Sequence, residues 1–88
     1  MIDVKQAARI AKAYMAEMFP PQEIGNLMLE EAELSDDGSH WRVTVSFSEH
    51  KGKSAIEAMT GIESKRSYKD LKIRAEDGTV LAMKIRQV

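Results

Sequence analysis

Between Trp41 and Ser48 apolar and polar residues alternate without a break: Trp41, Val43, Val45 and Phe47 against Arg42, Thr44, Ser46 and Ser48. Successive side chains of an extended chain point to opposite faces, so this run predicts a strand with one apolar and one polar side. Such a strand needs neighbours to pair its backbone and a layer to cover its apolar side. The rest of the chain has to supply both.

One neighbour precedes it. Ser35-Asp36-Asp37-Gly38-Ser39 is turn chemistry, and residues 27–48 read as a hairpin around it. Pairing Leu34 with Trp41 also pairs Ala32 with Val43 and Met28 with Phe47. It sets Glu33 opposite Arg42, a favourable cross-strand charge pair. Glu30 falls on the apolar side in this register, which predicts a bulge or a sheet-edge position there.

Residues 68–88 read as a second hairpin. Leu71 and Ile73 alternate with Asp70, Lys72 and Arg74; Leu81, Met83 and Ile85 alternate with Ala82, Lys84 and Arg86. A three-residue Glu76-Asp77-Gly78 loop with Gly78 left-handed suits a bulged turn. It aligns Ile73 with Leu81, Leu71 with Met83 and Asp70 with Lys84, whereas a two-residue loop would set Leu71 against Lys84.

Cover comes from residues 3–19. Val4, Ala7, Ala8, Ala11, Tyr14, Met15 and Met18 recur at helical spacing. Asp3 and Gln6 suit a capping box, and Pro20-Pro21 ends the helix. The alanine-rich stripe predicts close approach to a sheet. The fold expected is therefore α+β, one N-terminal helix on a four-stranded antiparallel sheet made of two hairpins. Eighty-eight residues suffice for a single such domain, 1–88. The six methionines are read mostly as core, Met15, Met18, Met28 and Met83 lying on apolar stripes.

The insert at 49–67 joins the hairpins. Glu49-His50-Lys51-Gly52-Lys53 reads as loop, Ser54 with Glu57 suits a second capping box, and Gly61 suits a helix end. Ile56, Met59 and Ile62 are its apolar contacts, and Glu63 to Ser67 is expected to be exposed.

This order resembles that of PepSY-type and cystatin-like domains. The likeness is carried by Ala7, Ala8 and Ala11, by the Leu34…Trp41-Arg42-Val43 hairpin and by the closing Glu76-Asp77-Gly78-Thr79-Val80-Leu81. It implies a non-enzymatic domain that binds or inhibits another protein.

Function classes narrow by chemistry. The chain has no cysteine, so disulfides and thiolate zinc sites are excluded. His40 and His50, at opposite ends of one strand, stand about 30 Å apart and do not share a metal within one chain. Glu30, Glu31, Glu33, Asp36 and Asp37 alternate across a strand or belong to a turn rather than converging on a cation. Neither a nucleophile elbow nor a phosphate-cradling glycine loop is present. No enzyme activity, cofactor or metal is expected. Apolar runs are too short to span a membrane, and Met1 to Gln6 carry no signal-peptide pattern; a cytoplasmic protein, monomer or homodimer, is the expectation.

Charge is the informative asymmetry. Residues 1–50 hold four Lys or Arg against nine Asp or Glu; residues 51–88 hold nine against five. Lys72, Arg74, Lys84 and Arg86 fall on one face of the second hairpin. With Tyr68, Lys65, Arg66 and Met59 they make the candidate partner-binding surface, for a protein of accessory, inhibitor or immunity type. A small nucleic-acid-binding domain using the same face is the alternative, disfavoured by a net charge of −1 and a single nearby aromatic.

Overall fold

In the computed structural model, which describes residues 1–20, 24–49 and 66–86, one helix packs on an open four-stranded antiparallel sheet. The helix α1 spans Val4–Met18; the strands are β1 (Ile24–Leu34), β2 (His40–Glu49), β3 (Arg66–Arg74) and β4 (Val80–Arg86), in the spatial order β1-β2-β3-β4. Both ends of the expected 49–67 insert are strand, since Glu49 closes β2 and Arg66 and Ser67 open β3. The loop, the second capping box and the contacts of Ile56, Met59 and Ile62 lie outside the described residues.

The helix starts as its capping box dictates. The Gln6 amide donates to Asp3 Oδ1 at 2.8 Å, and the Asp3 amide donates to Gln6 Oε1 at 2.9 Å. Phe19 closes the last turn through its amide to the Met15 carbonyl, and Pro20 follows. Ala7, Ala11 and Met15, one turn apart, are fully buried against Val43, Val45, Phe47, Leu71 and Ile73. The buried stripe is narrower than the apolar spacing suggests. Val4 and Met18 remain 45% and 49% exposed, because the helix meets the sheet along its alanine ridge and its two ends overhang.

The first hairpin keeps its expected register near the turn, pairing Leu34 with Trp41, Ala32 with Val43 and Glu33 with Arg42. A bulge then falls at Glu30, between Leu29 and Glu31. It turns the Glu30 carboxylate toward the polar face, where Ser46 Oγ donates to it at 2.6 Å. The bulge moves the later pairs by one, so Met28 stands opposite Ser46 instead of Phe47 and is 51% exposed. A second irregularity lies between Gly25 and Met28, where Asn26 has φ 51°. Leu27 takes the place near the core that Met28 was expected to fill.

The second hairpin shows a paired adjustment. Ala75 leaves the ladder to be buried; its amide donates to the Ser39 carbonyl at 3.0 Å, and its carbonyl accepts from the Ile2 amide at 2.8 Å. The loop therefore takes one residue more than expected. Ile73 pairs with Val80 rather than Leu81. Leu81 bulges out, which restores Leu71 opposite Met83 and Asp70 opposite Lys84. Gly78 is left-handed at φ 79°, and a Cβ there would stand 2.7 Å from Ile10 Cδ1. Trp41 packs against the core only in part and donates from Nε1 to the Ile2 carbonyl at 3.2 Å. Ile85 lies on the helix side of the sheet but beyond its cover, 72% exposed.

Two substitutions check this packing. Ala11→Glu forces a charge and extra volume into a fully buried helix–sheet contact, and thermal denaturation should show the domain unfolded or strongly destabilised. Phe47, almost fully buried with its ring 5.7 Å from that of Phe19, should cost about 3–5 kcal/mol as Phe47→Ala in chemical denaturation.

Candidate interaction face

The sheet side away from the helix collects the polar members of each strand. Cross-strand pairing sets them in rows: His40 beside Arg74; Glu33, Arg42, Lys72 and Ala82; Glu31, Thr44, Asp70 and Lys84; Ser46, Tyr68 and Arg86; Ser48 and Arg66. Six of the sequence-predicted residues, Tyr68, Arg66, Lys72, Arg74, Lys84 and Arg86, share this face. Lys65 and Met59 lie outside the described residues.

The six do not act alike. Thr44, Ser46 and Ser48 are buried on this polar side, so their hydroxyls must find partners inside the protein. Thr44 Oγ1 donates to Asp70 Oδ1 at 2.6 Å and accepts from Arg86 Nη1 at 3.1 Å. Arg86 also meets Glu31 at 3.2 Å. That carboxylate, by hydrogen bond and charge, is the main reason the Arg86 guanidinium is held more firmly protonated than usual. Arg66 donates to Ser46 Oγ from Nε and Nη2 at 3.1 and 2.9 Å, and to the Asn26 carbonyl at 2.6 Å. Two arginines of the expected docking surface are thus folded down over β2 as its cover.

The opposite end of the face differs. Arg42 stands directly across from Lys72, and His40 directly across from Arg74. Arg42 and Lys72 are like charges, which in such a position destabilise a sheet. Arg42 is offset by Glu33 at 2.7 Å, and Arg74 by Asp77 at 3.1 Å. Asp77 is held below the usual carboxylate range, first by the Thr79 backbone N–H, then by the Thr79 hydroxyl and Arg74. Asp37, beside His40 in the other turn, is held lower still, by the Ser35 hydroxyl first and the Ser39 backbone N–H next. These are exposed pairs, individually weak. Lys72 and Lys84 make no ion pair among the described residues; Ala82 stands opposite Lys72 and Asp70 opposite Lys84. A recess of about 270 Å³ opens over that alanine, walled by Lys72, Lys84, Arg42, His40 and the acidic Asp70. A second, of about 620 Å³, adjoins it through His40 and Lys72 and continues past Arg74 to Leu81.

Arg42 and His40 are the residues that sequence reasoning did not assign to the face. Their place depends on the pairing of β2 with β3, and no short turn links those strands to set a register. Ser39 Oγ approaches His40 Nδ1 at 3.0 Å, but the two are chain neighbours in an exposed turn, and among the described residues no carboxylate orients the ring. No group of three or more His, Asp or Glu suited to a metal occurs among the described residues, and no described helix is long and apolar enough to cross a membrane.

Comparison of the chain with protein-family models, curated proteins and solved structures finds no match.

The division of the face is testable. Lys84→Ser should leave the melting temperature within about 3 °C, as surface changes do. Arg86→Ser should fall well outside that window, since it strips partners from Thr44, Glu31 and Asp70. Differential scanning calorimetry of the two variants distinguishes a cover residue from a free cation.

Proposed function

We propose that this chain is a non-enzymatic protein-binding module, of accessory, inhibitor or immunity type, that takes an acidic partner on the His40, Arg42, Lys72, Arg74 and Lys84 end of its outer sheet face. The observation that carries this reading is the like-charge block itself. One cross-strand pair, Arg42 and Lys72, sets cation against cation, and neither Lys72 nor Lys84 makes an ion pair among the described residues, although Asp70 stands opposite Lys84. A sheet loses stability by such a pair unless an anionic surface completes it. The small side chain of Ala82 leaves both ammonium groups reachable from the same side. The resemblance of the helix-then-meander order to that of PepSY-type and cystatin-like domains points to the same class of role.

Nucleic acid is the rival occupant of a cationic face. Stacking on unpaired bases needs exposed aromatic rings, and among the described residues Tyr68 is the aromatic on this face, half-buried beside Arg86. That favours a protein partner.

The experiment is a triple variant, Lys72→Ser, Arg74→Ser and Lys84→Ser, which leaves Arg66 and Arg86 in place. It should keep the wild-type far-ultraviolet circular dichroism. In pull-downs from native lysate it should lose the acidic proteins that the wild type retains, identified by mass spectrometry. Wild-type binding to a random 20-nucleotide RNA at low salt, lost steeply as salt rises, would move the assignment to nucleic acid.

A further inference from the structure

The open sheet has two edges, and they are built differently. β1 is interrupted twice, carries Asn26 in a left-handed conformation, and bears Glu30, Glu31 and Glu33. Bulges and charges of this kind are how an edge strand is kept from pairing with another chain. β4 has one irregularity, at Leu81; from Ala82 to Arg86 it pairs with β3 residue for residue. Its other side meets no strand among the described residues. A regular edge presents backbone N–H and C=O groups in the spacing of a ladder.

The side chains along this edge sort by face. On the outer side stand Ala82 and Lys84, with Lys72 behind Ala82 in the next strand. On the helix side stand Met83, partly buried, and Ile85, 72% exposed. A strand added here meets ammonium groups with its outward residues and apolar surface with its inward ones. Alternate side chains of an extended segment meet those two faces in turn.

We propose that β4 is a docking edge for an extended segment of a partner protein in which apolar and acidic residues alternate. Its backbone continues the sheet as a fifth strand, its acidic side chains reach Lys84 and, across Ala82, Lys72, and its apolar side chains cover Met83 and Ile85. This inference rests on the reading of the basic face as a surface for acidic protein, and adds the geometry of capture. Charge complementarity selects this occupant over a second copy of the chain. Two β4 edges would bring Lys84 and Arg86 of both copies together, and the acidic β1 edge of a second copy is broken by its bulges. Main-chain bonds then supply affinity and the two faces supply selectivity.

The test uses the whole chain and three peptides: acetyl-Thr-Val-Glu-Val-Glu-Val-Thr-amide, the same peptide N-methylated at alternate residues on its docking edge, and a version with lysine in place of both glutamates. Titration calorimetry should show binding of the first, at least tenfold weaker binding of the N-methylated form, and none of the lysine form. Lys84→Glu should weaken the first peptide at least tenfold, and so should Ile85→Asp, both at exposed positions that leave the fold intact. Hydrogen exchange should show alternate amides between Ala82 and Arg86 newly protected. Equal binding of the N-methylated peptide would overturn strand addition and leave the basic face as a charge-only surface. Failure of every peptide, with the triple variant still losing its acidic partners, would overturn the edge alone. A wild type that sediments as a dimer, made monomeric by Ile85→Lys, would give the edge to a second copy and overturn the proposal.

Discussion

The structure depends on β2 being buried on both sides. Helix α1 covers Val43, Val45 and Phe47, while Thr44, Ser46 and Ser48 are enclosed on the reverse. A central strand in a four-stranded sheet with one helix would ordinarily leave its second side in water. Here that side carries small hydroxyls, and small hydroxyls permit long side chains from the neighbouring strands to lie across them. Arg66, Arg86 and Glu30 do so. Each hydroxyl is satisfied by a charged partner, which makes the contact stronger than a neutral hydrogen bond.

This second layer decides which cations are free. A guanidinium has five donors in a fixed fork, so Arg66 can bond two residues of β2 and a β1 carbonyl at once, and Arg86 can bridge three strands. An ammonium has no such fork; Lys72 faces Arg42 on β2, and the one β2 hydroxyl in the row of Lys84, that of Thr44, is already taken by Asp70 and Arg86. The cations of the outer face are thereby divided into Arg66 and Arg86, which hold the sheet together, and Lys72, Arg74 and Lys84, which bond none of the β2 hydroxyls. The free charge gathers at the turn end of the sheet, where the two capped aspartates, Asp37 and Asp77, mark its border.

Much of the architecture was legible because it follows from period and turn chemistry. The alternation at residues 41–48, the capping box at Asp3 and the left-handed Gly78 are local signals, and each produces its element. The bulge at Glu30 was visible as a charge on an apolar face. Its consequence for Met28 was not, because a bulge shifts every later pair. Leu81 was misplaced for a related reason: Ala75 is drawn out of the ladder by Ser39 and Ile2, residues far away in the chain. The candidate face was legible in which residues share it, since parity along a strand is local. Which of them point outward was not, since that depends on the reach of Arg66 and Arg86 into the neighbouring strands.

The meeting of Ile2, Ala75 and Ser39 bears on how the chain reaches this state. Ile2 donates to the carbonyl of Ala75, and Trp41 donates to the carbonyl of Ile2. Ile2 therefore finds its backbone partner seventy-three residues further along the chain. Closing a loop of that size costs entropy before it returns any contact, and folds rich in such pairings form slowly. Helix α1 precedes all four strands in the chain, and its alanine ridge has nothing to cover until they pair. It must wait for β3 before the surface it covers is complete, so a folding intermediate that lacks β3 leaves part of that ridge in water.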